Sequence, residues 1–163
     1  MSGARRRNSR LTVAVRGSTE TVARLLRRAA RCTAAEEFRP ARPRARRAGP
    51  LGGSISIAVV SDPEMARHNV RWLRHKGPTD VLTFDLGGDP SAGMLDGEII
   101  VSRDTARREA LHRGHPTAQE LALYVVHGVL HLLGHDDHRP ADRRRMRAAE
   151  RAVLASMGMG GVE

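Results

Sequence analysis

The feature that most constrains this chain is the stretch at residues 121–138, LALYVVHGVLHLLGHDDH. Residues 121–133 are apolar except for Tyr124, His127, Gly128 and His131, so a helix here is buried on most of its faces. Residues three and four apart are helix-surface neighbours, which puts Tyr124, His127 and His131 on one face, with Gly128 leaving room beside them. Two imidazoles one turn apart can lean toward one point and ligate a metal ion. Gly134 supplies the left-handed backbone that commonly ends a helix, and the chain can then turn back. The chain can present Asp136, Asp137 or His138 to the same point, and the spacing reads Asp137 or, one residue later, His138 as the third donor. A lone histidine on an apolar helix is usually a satisfied core residue; the pair at this spacing, followed by Gly and Asp-Asp-His, points to metal. His135, nearest the turn, reads as a surface or supporting group. The metalloprotease pattern carries Glu directly after the first His as general base. This chain has Gly128 there, so an HExxH mechanism lacks its base.

The flanking chain reads as alternating strands and helices. Residues 11–15 are a short strand, and Ser18 caps a helix to about Arg31 with Val22, Leu25, Leu26 and Ala29 as its apolar stripe. Residues 34–53, rich in Arg, Pro and Gly, read as a flexible loop, and residues 1–10 as a basic arm. SISIAVV at residues 54–60 is the clearest strand. Ser61 and Asp62-Pro63-Glu64 then start a helix that reaches Asn69 or Trp72, with Trp72 in the core or the wall of a cleft. Strands at 81–84 and 97–101 follow, separated by a Gly-rich turn, and then a helix at 103–111. Pro116-Thr117 opens the histidine helix, with Glu120 in its first turn. A last helix at 141–156 turns Met146, Ala149 or Glu150, Val153 and Met157 inward. Its Arg143, Arg144, Arg145, Arg147 and Arg151 form a solvated face or an RNA backbone contact. The expected architecture is α+β, a small mixed sheet of about four strands with the histidine helix packed on it, as one domain over residues 1–163.

Charge narrows the partners. The formal net charge is +10, and Lys76 is the only lysine among 28 Lys and Arg residues. That balance favours polyanions, RNA first, through phosphate neutralisation. Cys32 is the only cysteine, which excludes an intramolecular disulfide and agrees with a reducing cytoplasm. No apolar run approaches transmembrane length, and the first fifteen residues lack the apolar core of a signal peptide, so a cytoplasmic protein is expected.

HGVLHLLGHDDH resembles the signature of the YbeY endoribonucleases, the rRNA maturation factors of bacteria. NVRWLRHKGPTDVLTF at residues 69–84 is similar to a second block of that family, and GEIIVS at residues 97–102 resembles a third. Met146 and Glu150 also fit, and the resemblance spans roughly residues 54–154. Two positions depart from it. Many members have His as third ligand where this chain has Asp137, and many have Arg directly after the aromatic, where this chain has Leu73 followed by Arg74 and His75. The resemblance implies a zincin-like metal helix and a single-strand-specific endoribonuclease. It also implies a role at the 3′ end of 16S rRNA and in ribosome quality control, with rRNA or the small ribosomal subunit as partner. On this reading one zinc per chain is held by His127, His131 and Asp137, with His138 as the alternative, and an open position is kept for water. Arg74 and His75 are then the loop cations that stabilise charge developing on the scissile phosphate. Two other readings stay open: a zinc peptidase-like hydrolase, disfavoured by Gly128, and a non-catalytic rRNA-binding ribosome-assembly factor. In the latter the zinc is structural, closed by four ligands if Asp137 and His138 both bind.

Overall fold

The structure, a computed structural model, describes residues 10–38, 51–74 and 76–162, the side chain of Leu73 excepted. The chain runs β1 (Thr12–Arg16), α1 (Glu20–Glu37), β2 (Gly52–Val60), α2 (Asp62–Leu73), β3 (Val81–Asp85), a 3-10 turn (Pro90–Ala92), β4 (Met94–Ser102), α3 (Arg103–Arg113), α4 (Thr117–Leu132) and α5 (Pro140–Ser156). The four strands form one mixed sheet in the order β1-β2-β4-β3, an α+β architecture. β1, β2 and β4 are parallel, and β3 closes the far edge antiparallel to β4.

β2 and β4 sit in the middle because they are apolar on both faces, as parallel strands covered from both sides must be. Ile55, Ile57, Val59, Ile99 and Val101 point to one face, toward α1, α4 and α5. Ala58, Val60, Ile100 and Leu82 point to the other, where the fully buried Met65 of α2 covers them. α2 is started by a capping box, Ser61 with Glu64, and Pro63 stands in its first turn. α4 has Pro116 at its N-cap position and so no side-chain cap, a device worth about 1 kcal/mol. Packing decides instead: Val125, Val126, Val129 and Leu130 have no exposed surface, and each contributes about 1.5–3 kcal/mol. Two close approaches seat α4 on the sheet. A Cβ on Gly97 of β4 would lie 2.5 Å from Leu132 Cδ1, and one on Gly128 would lie 2.9 Å from Thr83 Oγ1 and 3.0 Å from Ile99 Cδ1.

Several expectations need correction. α1 is capped by Thr19 rather than Ser18 and runs to Glu37, past Arg31. Its buried stripe continues through Ala30, Thr33 and Ala34, small residues within the core. Residues 34–37 are therefore helix and Gly52 and Gly53 are strand, while the remainder of the expected 34–53 loop, residues 39–50, lies outside the described residues. So do residues 1–9 of the basic arm. β4 begins at Met94, and α3 extends to Arg113 before Gly114 turns left-handed. Trp72 is not in the core: 56% of it is exposed, its edge rests on Phe84, and the Arg71 guanidinium lies 5.0 Å from its ring centre. No described helix is long and apolar enough to cross a membrane.

Candidate metal centre

α4 delivers His127 and His131 one turn apart, and His127 lines a cleft of about 530 Å³. Their Nε2 atoms face each other at 3.0 Å. Each ring is fixed by its other nitrogen: His127 Nδ1 lies 2.7 Å from Glu150 Oε1 of α5, and His131 Nδ1 lies 3.0 Å from the backbone oxygen of His135. Such outer partners set the tautomer and orient the donor atom.

The third group arrives through the helix end. The His135 amide donates to the Leu130 carbonyl and the Gly134 amide to the His131 carbonyl, a Schellman closure with Gly134 at φ 93°. Asp136 then accepts from the amides of Asp137 and His138, which folds the chain back and holds its own carboxyl below the usual carboxylate range. As a result Asp137 Oδ2 comes to 3.9 Å from His127 Nε2 and 4.0 Å from His131 Nε2. Donors on a tetrahedral zinc with bonds of about 2.0 Å stand about 3.3 Å apart. Separations of 3.0, 3.9 and 4.0 Å bracket that edge, and two imidazoles with one carboxylate are a donor set suited to zinc. The residues present therefore fit a divalent ion. His138 does not converge on the pair; its side chain is 88% exposed and lies 3.6 Å from Asp136.

The electrostatics follow from this packing. Burial works against the charged form of His127, but the hydrogen bond and charge of Glu150, with Asp137, outweigh it and raise its pKa. Burial, and then the neighbouring His127, lower that of His131. Glu120 has no exposed surface. It pairs with Arg113 Nη1 at 3.0 Å and stands 3.0 Å from His115 Nε2, yet burial still raises its carboxyl pKa. Burial, and then the charge of Glu120, push the phenol of Tyr124 well up, so it stays neutral where it lines the cleft.

Gly128 does not open the cleft; the room it leaves is taken by Thr83 and Ile99 of the sheet. Asn69, buried, donates to the Gly77 carbonyl and so ties the end of α2 to the segment that brings Thr79 and Asp80 to the cleft. Arg74 is the left-handed C-cap of α2, exposed and away from the cleft lining. His75 lies outside the described residues. Among the described residues, the arginines that line the cleft are Arg108 and Arg113 of α3 and Arg143 and Arg147 of α5. The contact of Glu150 with His127 was not foreseen from sequence; its place one turn after the inward-facing Met146 was the available signal.

The family model described as "Endoribonuclease YbeY" matches residues 13–158. The Endoribonuclease YbeY of Myxococcus xanthus (strain DK1622) is 41% identical over 112 residues, covering 66% of this chain and 38% of that protein. That of Anaeromyxobacter sp. (strain Fw109-5) is 40% identical over 113 residues, 69% of this chain and 59% of that protein. The chain thus spans less than two thirds of the length of these relatives. The solution structure of TM1509 from Thermotoga maritima shares the fold, with a TM-score of 0.57 at 21% identity over 91% of this chain and 92% of that one.

Proposed function

The chain belongs to the YbeY family, and from that premise we propose that it is a metal-dependent endoribonuclease cutting single-stranded RNA. The observation that carries the reading is the convergence of His127, His131 and Asp137 on one point at the rim of a cleft lined by arginines. Three protein donors leave a position open, whereas structural zinc sites are closed by four. His127, His131 and Asp137 hold the ion, one zinc per chain. When bound, zinc supplies Lewis acidity toward a phosphoryl oxygen and makes water a competent nucleophile near neutral pH. Glu150 holds the His127 ring in the orientation that aims Nε2 at the centre. Tyr124, neutral and buried, closes the floor of the cleft beside His127. A peptidase reading is disfavoured because the position of the usual Glu base faces Thr83 and Ile99 rather than the cleft. Placement in the cytoplasm, rRNA or the small ribosomal subunit as substrate, and work at the 3′ end of 16S rRNA and in ribosome quality control extend the same proposal.

The test combines elemental analysis with cleavage of a labelled single-stranded RNA. About one zinc per chain is expected in the native protein, lost in Asp137→Ala and kept in His138→Ala, with cleavage following the metal. A folded, metal-free native protein, or a zinc-loaded one that cuts no RNA, overturns the reading.

A further inference from the structure

We propose that Arg143 and Arg147 are the phosphate-binding edge of the cleft, the residues that seat the RNA backbone beside the metal centre. The inference rests on the endoribonuclease reading and supplies it with a substrate contact on α5.

Among the described residues four arginines line the cleft, and they are not equivalent. Arg108 is committed to Asp62 at 2.6 Å and to Thr105 at 2.9 Å. Arg113 is committed to Glu109 and Glu120. Among the described residues Arg143 bonds only through Nε, which donates to the Asp137 carbonyl at 3.2 Å, so its two terminal nitrogens stay available there while the side chain is held against the metal-binding turn. Arg147 makes no hydrogen bond or ion pair among the described residues. No carboxylate pairs with either one among the described residues: the Asp137 carboxylate faces His127 and His131, and Glu150 faces His127.

Arg143 and Arg147 stand at i and i+4 on α5, so their side chains are surface neighbours. Like charges at that spacing work against a helix, and a polyanion across both reverses the effect. A guanidinium pairs with a phosphate through two parallel N–H donors, and Arg143 is anchored where one such pair would adjoin the metal centre. Arg147 extends the edge by one turn toward the adjoining phosphate. The contacts are to backbone oxygens, which position a strand without reading its sequence.

The experiment measures fluorescence anisotropy of a labelled single-stranded RNA oligonucleotide on the full chain in EDTA over a series of salt concentrations. Steady-state cleavage with added zinc is measured beside it. Arg143→Gln and Arg147→Gln are compared with Arg144→Gln, a substitution of the same charge on the same helix away from the cleft. Each cleft variant is expected to bind about tenfold more weakly at low salt and to lower the log–log salt slope by about 0.7, the value of one phosphate contact on a single strand. KM is expected to rise in Arg147→Gln with zinc content unchanged, and Arg144→Gln to behave as the wild type. Arg147 bonds none of the described residues, so its variant carries the test even if Arg143→Gln disturbs the Asp137 turn. Wild-type protein that cuts RNA, with all three variants alike in slope and KM, overturns this inference and leaves the endoribonuclease reading standing. Wild-type protein that neither binds nor cuts single-stranded RNA overturns both.

Discussion

Glu150 offers the sharpest test of how the centre is held. Its Oε1 lies 2.7 Å from His127 Nδ1, and only 14% of its side chain is exposed, so the pair is a charge-assisted hydrogen bond with little solvent screening. Such a bond contributes about 1.5–3 kcal/mol, and a neutral one about 0.5–1.5 kcal/mol. Glu150→Ala removes the bond and frees the ring, so zinc affinity is expected to fall about 10–100-fold, the range found when ligand-orienting partners are lost. Glu150→Gln keeps a carbonyl oxygen that can accept from Nδ1–H and loses only the charge. The difference of about 1 kcal/mol corresponds to a loss of about fivefold. Competition against a chromophoric zinc chelator at one fixed pH measures both. The predicted order of affinity is wild type, Glu150→Gln, then Glu150→Ala, with thermal unfolding of the zinc-free proteins used to confirm that all are folded. Equal zinc affinity in the wild type and Glu150→Ala would refute the reasoning.

Three further outcomes follow from the packing. Gly128→Ala gains about 1 kcal/mol of helix propensity but drives a methyl against Thr83 and Ile99, an overpacking cost of about 1–3 kcal/mol; a net loss of about 1 kcal/mol is expected in urea unfolding, and a stabilised variant contradicts it. Arg113→Met strips the buried Glu120 of its cation and is expected to cost about 3 kcal/mol at neutral pH. Loss of the Arg113 charge removes a cause that lowers the Glu120 carboxyl, so its folded pKa, already above the unfolded value in the wild type, rises further; the deficit grows as pH rises through the wild type's folded pKa, and a pH-independent deficit rules the account out. Burial pushes the Asp62 carboxyl up, but hydrogen bonds from Ser102, Arg108 and Thr105 prevail and hold it low. Its contribution is therefore full above the unfolded pKa of about 3.9 and is lost as pH falls through the folded one, so the stability gap between wild type and Asp62→Asn is expected to close in acid.

The parts of the centre that were legible in the sequence are those set by helical period. His127 and His131 share a face because four residues make about one turn, and Gly134 marks where that face ends. Choosing between Asp137 and His138 lay beyond periodicity. It depends on Asp136 folding the turn through two backbone amides, which leaves Asp137 inside and His138 in solvent. The pairing of Glu150 with His127 spans 23 residues of sequence and two helices, and only the docking of α5 creates it. The mixed sheet of about four strands was legible in the apolar runs, though not its order, whereas the end of α1 was hidden because Ala30, Thr33 and Ala34 pack without a large apolar side chain. Trp72 misled for the opposite reason: a large ring suggested burial, but its place near the end of α2 puts it at the surface against Phe84. Arg74 was named by adjacency in sequence and caps α2, while the arginines that line the cleft among the described residues come from α3 and α5.

The two close approaches of α4 to the sheet work as a tongue and groove cut in both directions. Leu132 projects from the helix into the hollow at Gly97, and Ile99 projects from the sheet into the hollow at Gly128. A slip of one residue moves the helix about 1.5 Å along its axis and turns it by about 100°, withdrawing both projections at once. The positions of the two histidines are thus inherited from a strand that contributes no side chain to the candidate centre. In descendants of this chain, a larger residue at position 97 demands a smaller one at 132, and growth at 128 demands shrinkage at 99. A lineage can alter those pairs only in compensated steps, so the ledger of permitted changes at the centre is written partly in the middle of the sheet.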